Sequence, residues 1–440
     1  MNVLLITFSF PPAGGVGVLR ALSLAKYLPE SGVRVDVLTA RNAPAVVRDE
    51  GLLRQVPSSV TVYRTWTLDL PFALRKGIRK LLARETSKKP ASAATTNTAP
   101  ARPNPLKTFV ANLLLPDPQI GWLPFAGRAA ARIVRTRQID AVIITVPPFS
   151  SIMLARQLRR QFPGLTVVLD FRDEWLSTTL HLVSLNSNPK ARLVAERTER
   201  EAVEAATAVV AVTEAARDLI RARYPKQPVE KFVSISNGYD GDPAVPQLSP
   251  GAPNGTVTMT YLGTVYGSTE PTSFVEAVLG LPLDLRARLR VHFVGHFEKP
   301  AYRDTLLRLG DTVQISGFMP QAEALRLLDV TDYVLLLSHD PVNVSAKFYD
   351  YLRSGKPILA AVHPAGDVRR RLEETHGGQW ADIGDVDAIH RMLVAAIEQP
   401  PATHFQPDAA AIARYHRRPL AAQYAALLQT LGAPVPGARR

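Results

Sequence analysis

The stretch VLLITFSFPPAGGVGVLRALSLAKYL, Val3 to Leu28, decides the fold class. Val3 to Phe8 is a near-continuous apolar run, the composition of a strand covered on both faces, as in a parallel sheet. Ser9 to Gly17 is a Pro- and Gly-rich loop, and Val18 to Leu28 has helical character. Strand, glycine loop and helix in that order open an α/β domain. Adjacent Gly14 and Gly15 let the backbone approach a ligand closely, and the helix start offers amides to an anion such as a diphosphate. The same glycines also suit a tight turn with no ligand. A dinucleotide fingerprint is excluded on three counts. After Gly15 and Gly17 the third glycine position holds Arg20, two prolines lengthen the loop, and Thr39-Ala40-Arg41 stands where the second strand should end in an acid.

Outward from this unit, strand-like runs recur between helical segments at Val33 to Thr39, Ile139 to Thr145, Thr166 to Phe171, Ala206 to Thr213 and Lys231 to Ser236. A Pro- and Gly-dense break, Pro243 to Gly255, precedes a second series at Val257 to Gly263, Leu289 to Gly295, Thr312 to Gly317, Asp332 to Ser338 and Pro357 to Val362. The alternation predicts an α/β protein of two Rossmann-like parallel-sheet domains facing across a cleft, residues 1–240 and 241–407. The last helical stretch, Asp408 to Leu431, contains Pro419, which predicts a kink and a return of residues 408–432 to the first domain. Open parallel sheets bind ligands outside the carboxyl ends of their strands, so the candidate residues follow strands and precede helices.

With 440 residues, 46% of them hydrophobic, the chain can bury two cores. It has no cysteine, which excludes disulfides, thiolate metal sites and cysteine nucleophiles. The apolar start lacks a basic region and is cut by Pro11-Pro12, which argues against a signal peptide, and no apolar run approaches the ~18 residues of a membrane span. The expected location is the cytoplasm, with the inner face of the cell membrane within reach. The net charge of +13 is uneven, since Phe72 to Lys107 holds nine basic residues against one acid, Glu85. Within it, Leu70 to Glu85 has the composition of a basic amphipathic helix. Such a helix lies on anionic lipid, or packs on its own domain with a solvated basic face. A Ser/Ala/Thr/Pro/Asn-rich loop follows, so residues 70–107 are expected to form an insertion. No aromatic platform accompanies the charge, and a nucleic-acid partner is not expected.

Two further segments place polar residues at strand ends. Asp170-Phe171-Arg172-Asp173-Glu174-Trp175 sets two carboxylates beside a guanidinium, suited to orienting or deprotonating a substrate hydroxyl; a structural ion-pair network gives the same pattern. Asn343 to Pro357 predicts a loop and a short helix that Gly355 ends. Ser345 is the expected N-cap, so amides at Ser345, Ala346 and Lys347 stay available. The Lys347 ammonium suits phosphate, and Asp350, near one turn on, suits a ribose diol. An amphipathic helix with a chance Lys and Asp is the alternative.

In chain order, FPPAGGVGVLR (Phe10 to Arg20), DFRDEW, SNGYD (Ser236 to Asp240), YLGTVYG (Tyr261 to Gly267) and SAKFYDYLRSGKPIL (Ser345 to Leu359) resemble family 4 glycosyltransferases of GT-B fold. In that family the donor helix carries two acids eight positions apart. Asp350 matches the second, shortened from Glu, while Val342 stands at the first, so the motif is incomplete, as in a divergent subgroup. The Arg and Lys that many members carry after the first strand of the second domain are missing from Gly263 to Gly267. The resemblance therefore implies that backbone amides, Gly263 included, and Lys347 hold the donor phosphates. It also implies that Gly14 and Gly15 approach phosphates and acceptor, that Asp173, with Arg172 and Asp170, serves the reacting centre, and that backbone at Phe318 and Met319 edges the base. Asn237-Gly238 would mark the hinge.

The resemblance further implies a nucleotide-sugar co-substrate, UDP- or GDP-linked, transfer with retention, and neither metal nor other cofactor. Asp240-Gly241-Asp242 is the nearest approach to a metal-binding acid pair, and its glycine setting suits a turn. The expected protein is a glycosyltransferase acting on a glycan or lipid-linked acceptor in envelope or exopolysaccharide synthesis. A GT-B isomerase or epimerase of the nucleotide-sugar and a degenerate nucleotide-binding scaffold are the alternatives.

Overall fold

The computed structural model describes residues 1–43, 48–68, 114–177, 189–244, 255–319, 321–399 and 405–432, so the basic insertion at 70–107 lies outside the described residues. The first sheet contains β1 (Asn2–Ile6), β2 (Arg34–Ala40), β3 (Thr61–Thr65), β4 (Ala141–Val146), β5 (Thr166–Phe171), β6 (Ala208–Ala211) and β7 (Phe232–Ser234). Their order is β3-β2-β1-β4-β5-β6-β7, and the order reverses between β1 and β4. β1 pairs in parallel on both sides, with Val3 opposite Val35 of β2 and Ala141 of β4. The continuous apolar runs have the expected cause. Val3, Leu4, Leu5 and Ile6 are all fully buried, as are Val142, Ile143 and Ile144, because helices cover both faces of the sheet.

The second sheet contains β8 (Val257–Leu262), β9 (Leu289–Val294), β10 (Val313–Ser316), β11 (Tyr333–Ser338), β12 (Ile358–Val362) and β13 (Gly378–Asp382). Its order, β10-β9-β8-β11-β12-β13, reverses between β8 and β11. Successive side chains of a strand point to opposite faces. Accordingly Tyr333, Leu335 and Leu337 enter one core with Tyr261, Phe274 and Phe293, while Val334 and Leu336 enter another with Phe348, Tyr349 and Tyr351.

Two doubly wound parallel sheets are the Rossmann-like pair of a GT-B fold. The chain groups into two compact units, one of Met1–Leu176, Leu182–Val209 and Ala425–Arg440, the other of Ser177–His181 and Val210–Tyr424. The sequence series omitted two strands, β3 and β13, both at sheet edges. The C-terminal stretch also differs from expectation. It forms two helices, Ala409–Ala413 and Arg417–Gly432, and Pro419 sits in the first turn of the second, where no backbone N–H is required of it. Among the described residues no helix is long and apolar enough to cross a membrane.

Candidate functional site

In the second unit the carboxyl ends of β8 and β11 flank the strand reversal, the place where open α/β sheets bind ligands. The chain leaving β11 turns at Asp340, whose carboxylate accepts from the Val342 and Asn343 N–H groups at 2.8 and 3.0 Å and from Asn343 Nδ2 at 2.9 Å. This turn delivers the backbone to the helix Ala346–Arg353. Ser345 occupies the N-cap position, as expected, but its side chain makes no capping hydrogen bond. The Phe348 N–H donates to Ser345 O at 3.1 Å, while the Ala346 and Lys347 amides before it have no hydroxyl cap, and no acid stands in that turn.

One turn into the helix, the Tyr351 hydroxyl accepts the Leu262 N–H at 2.8 Å and ties the helix to the end of β8. Residues four apart share a helix face, so Lys347 is brought to the same place. Its Nζ lies 3.8 Å from the Tyr261 ring centroid, and it would stand 3.6 Å from a Cβ added at Gly263. Among the described residues this ammonium is buried with no hydrogen-bond partner. Burial pushes it down to about 7. Asp350 is half-buried on the same helix.

Gly263 itself is corrected. Its φ of 109° is what favours glycine there, and its N–H already donates to Val294 O at 2.8 Å, so that amide is taken within the fold. Phe318 and Met319 follow β10. Phe318 is 60% exposed, and its ring stacks on His296 with centroids 5.5 Å apart, while Met319 is half-buried against the core. Asp240 and Gly241 form a turn in which Gly241 has φ 85° and donates to Asp240 Oδ1.

In the first unit Gly15 caps the helix Val16–Tyr27 with φ 94° and ψ 163°, a conformation that only glycine adopts readily. Gly15 is exposed and Gly14 half-buried, and a Cβ at Gly15 would meet nothing within 4 Å. The end of this helix is again free of a side-chain cap and of acids.

The segment Asp170 to Trp175 divides by role. Asp170 is wholly buried and paired with Arg20, Nη2 to Oδ1 at 2.9 Å and Nε to Oδ2 at 3.0 Å. It holds the glycine-loop helix against β5 and is too deep for a substrate, which corrects its catalytic assignment. Arg172 donates from Nε to Val146 O at 3.1 Å and also bonds Gly17 O and Pro147 O. It thus ties the loops after β1 and β4 to its own segment after β5. Burial lowers its basicity, against the pull of Asp173 and Asp170. Trp175 stacks on Phe149 at 4.5 Å. Asp173, next in the chain after Arg172, is half-buried.

A family model described as a glycosyl transferase 4-like domain matches residues 14–238, just over half of the chain. The chain belongs to the glycosyl transferase 4-like family. No curated protein matches it in sequence. The fold of this glycosyltransferase is similar to that of the E. coli trehalose-6-phosphate protein bound with UDP-2-fluoro glucose, at TM-score 0.63 and 10% identity over 99% of this chain and 100% of that one. It is also similar to the apo lipopolysaccharide outer core galactosyltransferase WaaB, at 0.60 and 11% over 97% and 99%. A UDP-forming α,α-trehalose-phosphate synthase from Burkholderia xenovorans gives 0.62 and 12% over 98% and 99%. At these identities the likeness is one of fold. In this family member, sequence reasoning missed Arg20, Asp340 and Tyr351. The only advance signal was Asp340-Pro341-x-Asn343, a turn-forming combination.

Proposed function

We propose that this glycosyltransferase moves a sugar from a UDP- or GDP-linked donor to a hydroxyl of a glycan or lipid-linked acceptor, with retention and without a metal. The observation that carries the reading is Lys347, a buried ammonium without a hydrogen-bond partner among the described residues, set beside Gly263 at a strand reversal. An unpaired buried charge is costly, and an anion at this point removes the cost. A diphosphate fits, because the uncapped first turn of Ala346–Arg353 adds amides and the positive end of the helix. Asp350 then accepts from the ribose diol, and the Phe318–Met319 segment borders the base.

Departure of the sugar leaves negative charge on the diphosphate, and a preorganised ammonium with fixed amides stabilises that charge as it grows. Asp173 and the Gly14–Gly15 loop serve the acceptor, with Arg172 and Asp170 holding them in place. Envelope or exopolysaccharide synthesis at the inner face of the membrane is the setting that suits a lipid-linked acceptor.

The test is a titration of UDP and GDP and a screen of their sugars for turnover. Lys347→Ala and Asp350→Ala are each expected to lower turnover by at least ~100-fold, since each loses a charge-assisted contact in the site. Full turnover in both variants sinks the assignment. Incubation of donor alone separates the rival enzyme, because only an isomerase makes a new nucleotide-sugar without acceptor. If neither nucleotide binds, the chain is a scaffold.

A further inference from the structure

The carboxyl ends of β1, β2 and β3 enclose a cavity of about 250 Å³ lined by Phe10, Pro12, Arg41, Arg48 and Arg64, among others. None of these arginines belongs to the site described above. Arg41 directly follows β2 and stacks on Trp66, 5.0 Å from its ring. Arg64 lies in β3 and donates to Pro11 O. Arg48 is bridged to Ala13 in an antiparallel pair, and the Asp49 N–H donates to Pro12 O at 2.8 Å. The cavity therefore shares a wall with the Gly14–Gly15 loop.

The charge balance is one-sided. Asp49 is occupied as a helix cap, accepting from the Gly51 and Leu52 N–H groups. Of the three guanidinium groups only Arg48 has a carboxylate partner among the described residues, Glu50 at 3.3 Å, and that pair is largely exposed. Burial and the neighbouring Arg48 both lower the basicity of Arg64, so the cluster is under mutual repulsion. An oxyanion relieves that repulsion. Guanidinium groups match phosphate with paired N–H donors. The volume lies just under the ~300 Å³ at which pockets begin to hold drug-sized ligands, which suits one sugar-sized group.

We propose that this cavity is an acceptor subsite that takes the phosphoryl group of a phosphorylated sugar, free or carried on a lipid. The assignment rests on the glycosyl-transfer reading above and narrows its acceptor to an anionic one.

The test uses the full chain and calorimetric titration with glucose, glucose 6-phosphate, glucose 1-phosphate and a short-prenyl diphosphoryl sugar. At least one phosphorylated probe is expected to bind ~10-fold or more tightly than glucose, and more weakly at high salt. Arg41→Gln and Arg48→Gln, both at exposed positions, are each expected to weaken that probe by about 10-fold while UDP and GDP affinities stay unchanged. Tight binding of the hexose phosphates alone assigns a soluble acceptor, and tight binding of the prenyl compound alone assigns a lipid-linked one. If no phosphorylated probe exceeds glucose, or both variants bind it as the parent does, the proposal is overturned. Lys347→Ala keeps the two readings apart, since it is expected to lose nucleotide and retain the phosphorylated sugar.

Discussion

At the proposed donor site, Lys347 would couple ligand binding to its own charge and so to pH. Its folded value of about 7 lies below the ~10.4 of an unfolded lysine, because burial disfavours the ammonium. Between those values the unfolded chain binds more protons, so this residue makes stability rise with pH across that window. Its penalty is complete below about 7 and vanishes above ~10.4. Lys347→Met is therefore expected to raise the melting temperature most at acidic pH, with the gain shrinking toward pH ~10. Equal gains at both ends contradict a buried ammonium. Diphosphate favours the charged form, so UDP or GDP binding near pH ~8 is expected to take up a proton. Calorimetry in buffers of different ionisation enthalpy measures it. The pair Arg20 and Asp170 makes a second residue-scale case. Removing one partner of a buried pair strands the other charge, so Arg20→Ala is expected to cost ~3–5 kcal/mol in denaturant unfolding. Lys347 and Asp350 could be proposed from the sequence because they share one short segment with its own signature. Arg20 was not, since its partner stands 150 residues away and no local pattern joins them.

Elements explain what a string of residues hides. Both missing strands, β3 and β13, are edge strands, TVYRT and GQWAD, with exposed or half-exposed positions throughout except Ala381. A search for continuous apolar runs finds strands covered on both faces; edge strands lack that cover, and β3 and β13 were missed while the edge strands β7 and β10 were found. Central strands such as β4 and β5, buried at every position, were legible for the same reason. Glycines at the strand ends carry the next prediction. Gly15→Ala meets open space and only the strain of φ 94°, so a cost of ~1–3 kcal/mol is expected. Gly295→Ala adds a collision, because its Cβ would lie 2.4 Å from Gly263 O. Denaturant unfolding should rank Gly295→Ala clearly below Gly15→Ala in stability. The reverse order would mean that the ends of β8 and β9 are not packed backbone to backbone.

For the whole molecule the excess of +13 matters more than any single pair, and more than half of it falls within Phe72 to Lys107. Seven basic residues lie between Arg75 and Lys89, interleaved with Ile78, Leu81 and Leu82. Each Lys or Arg near an anionic leaflet contributes up to ~1 kcal/mol, and the apolar side chains add burial in the headgroup layer. The full chain is therefore expected to bind phosphatidylserine vesicles and to ignore phosphatidylcholine ones. Deleting Arg75 to Lys89 is expected to weaken the binding by at least ~100-fold, well within the electrostatic sum. Salt that shortens the Debye length from ~8 Å toward ~3 Å should imitate the deletion, since exposed charges are screened. Nucleotide binding at the proposed site around the buried Lys347 ammonium should respond far less to the same salt. Vesicle cosedimentation and calorimetry on one sample read both effects. Binding that survives the deletion would place the membrane contact elsewhere in the chain.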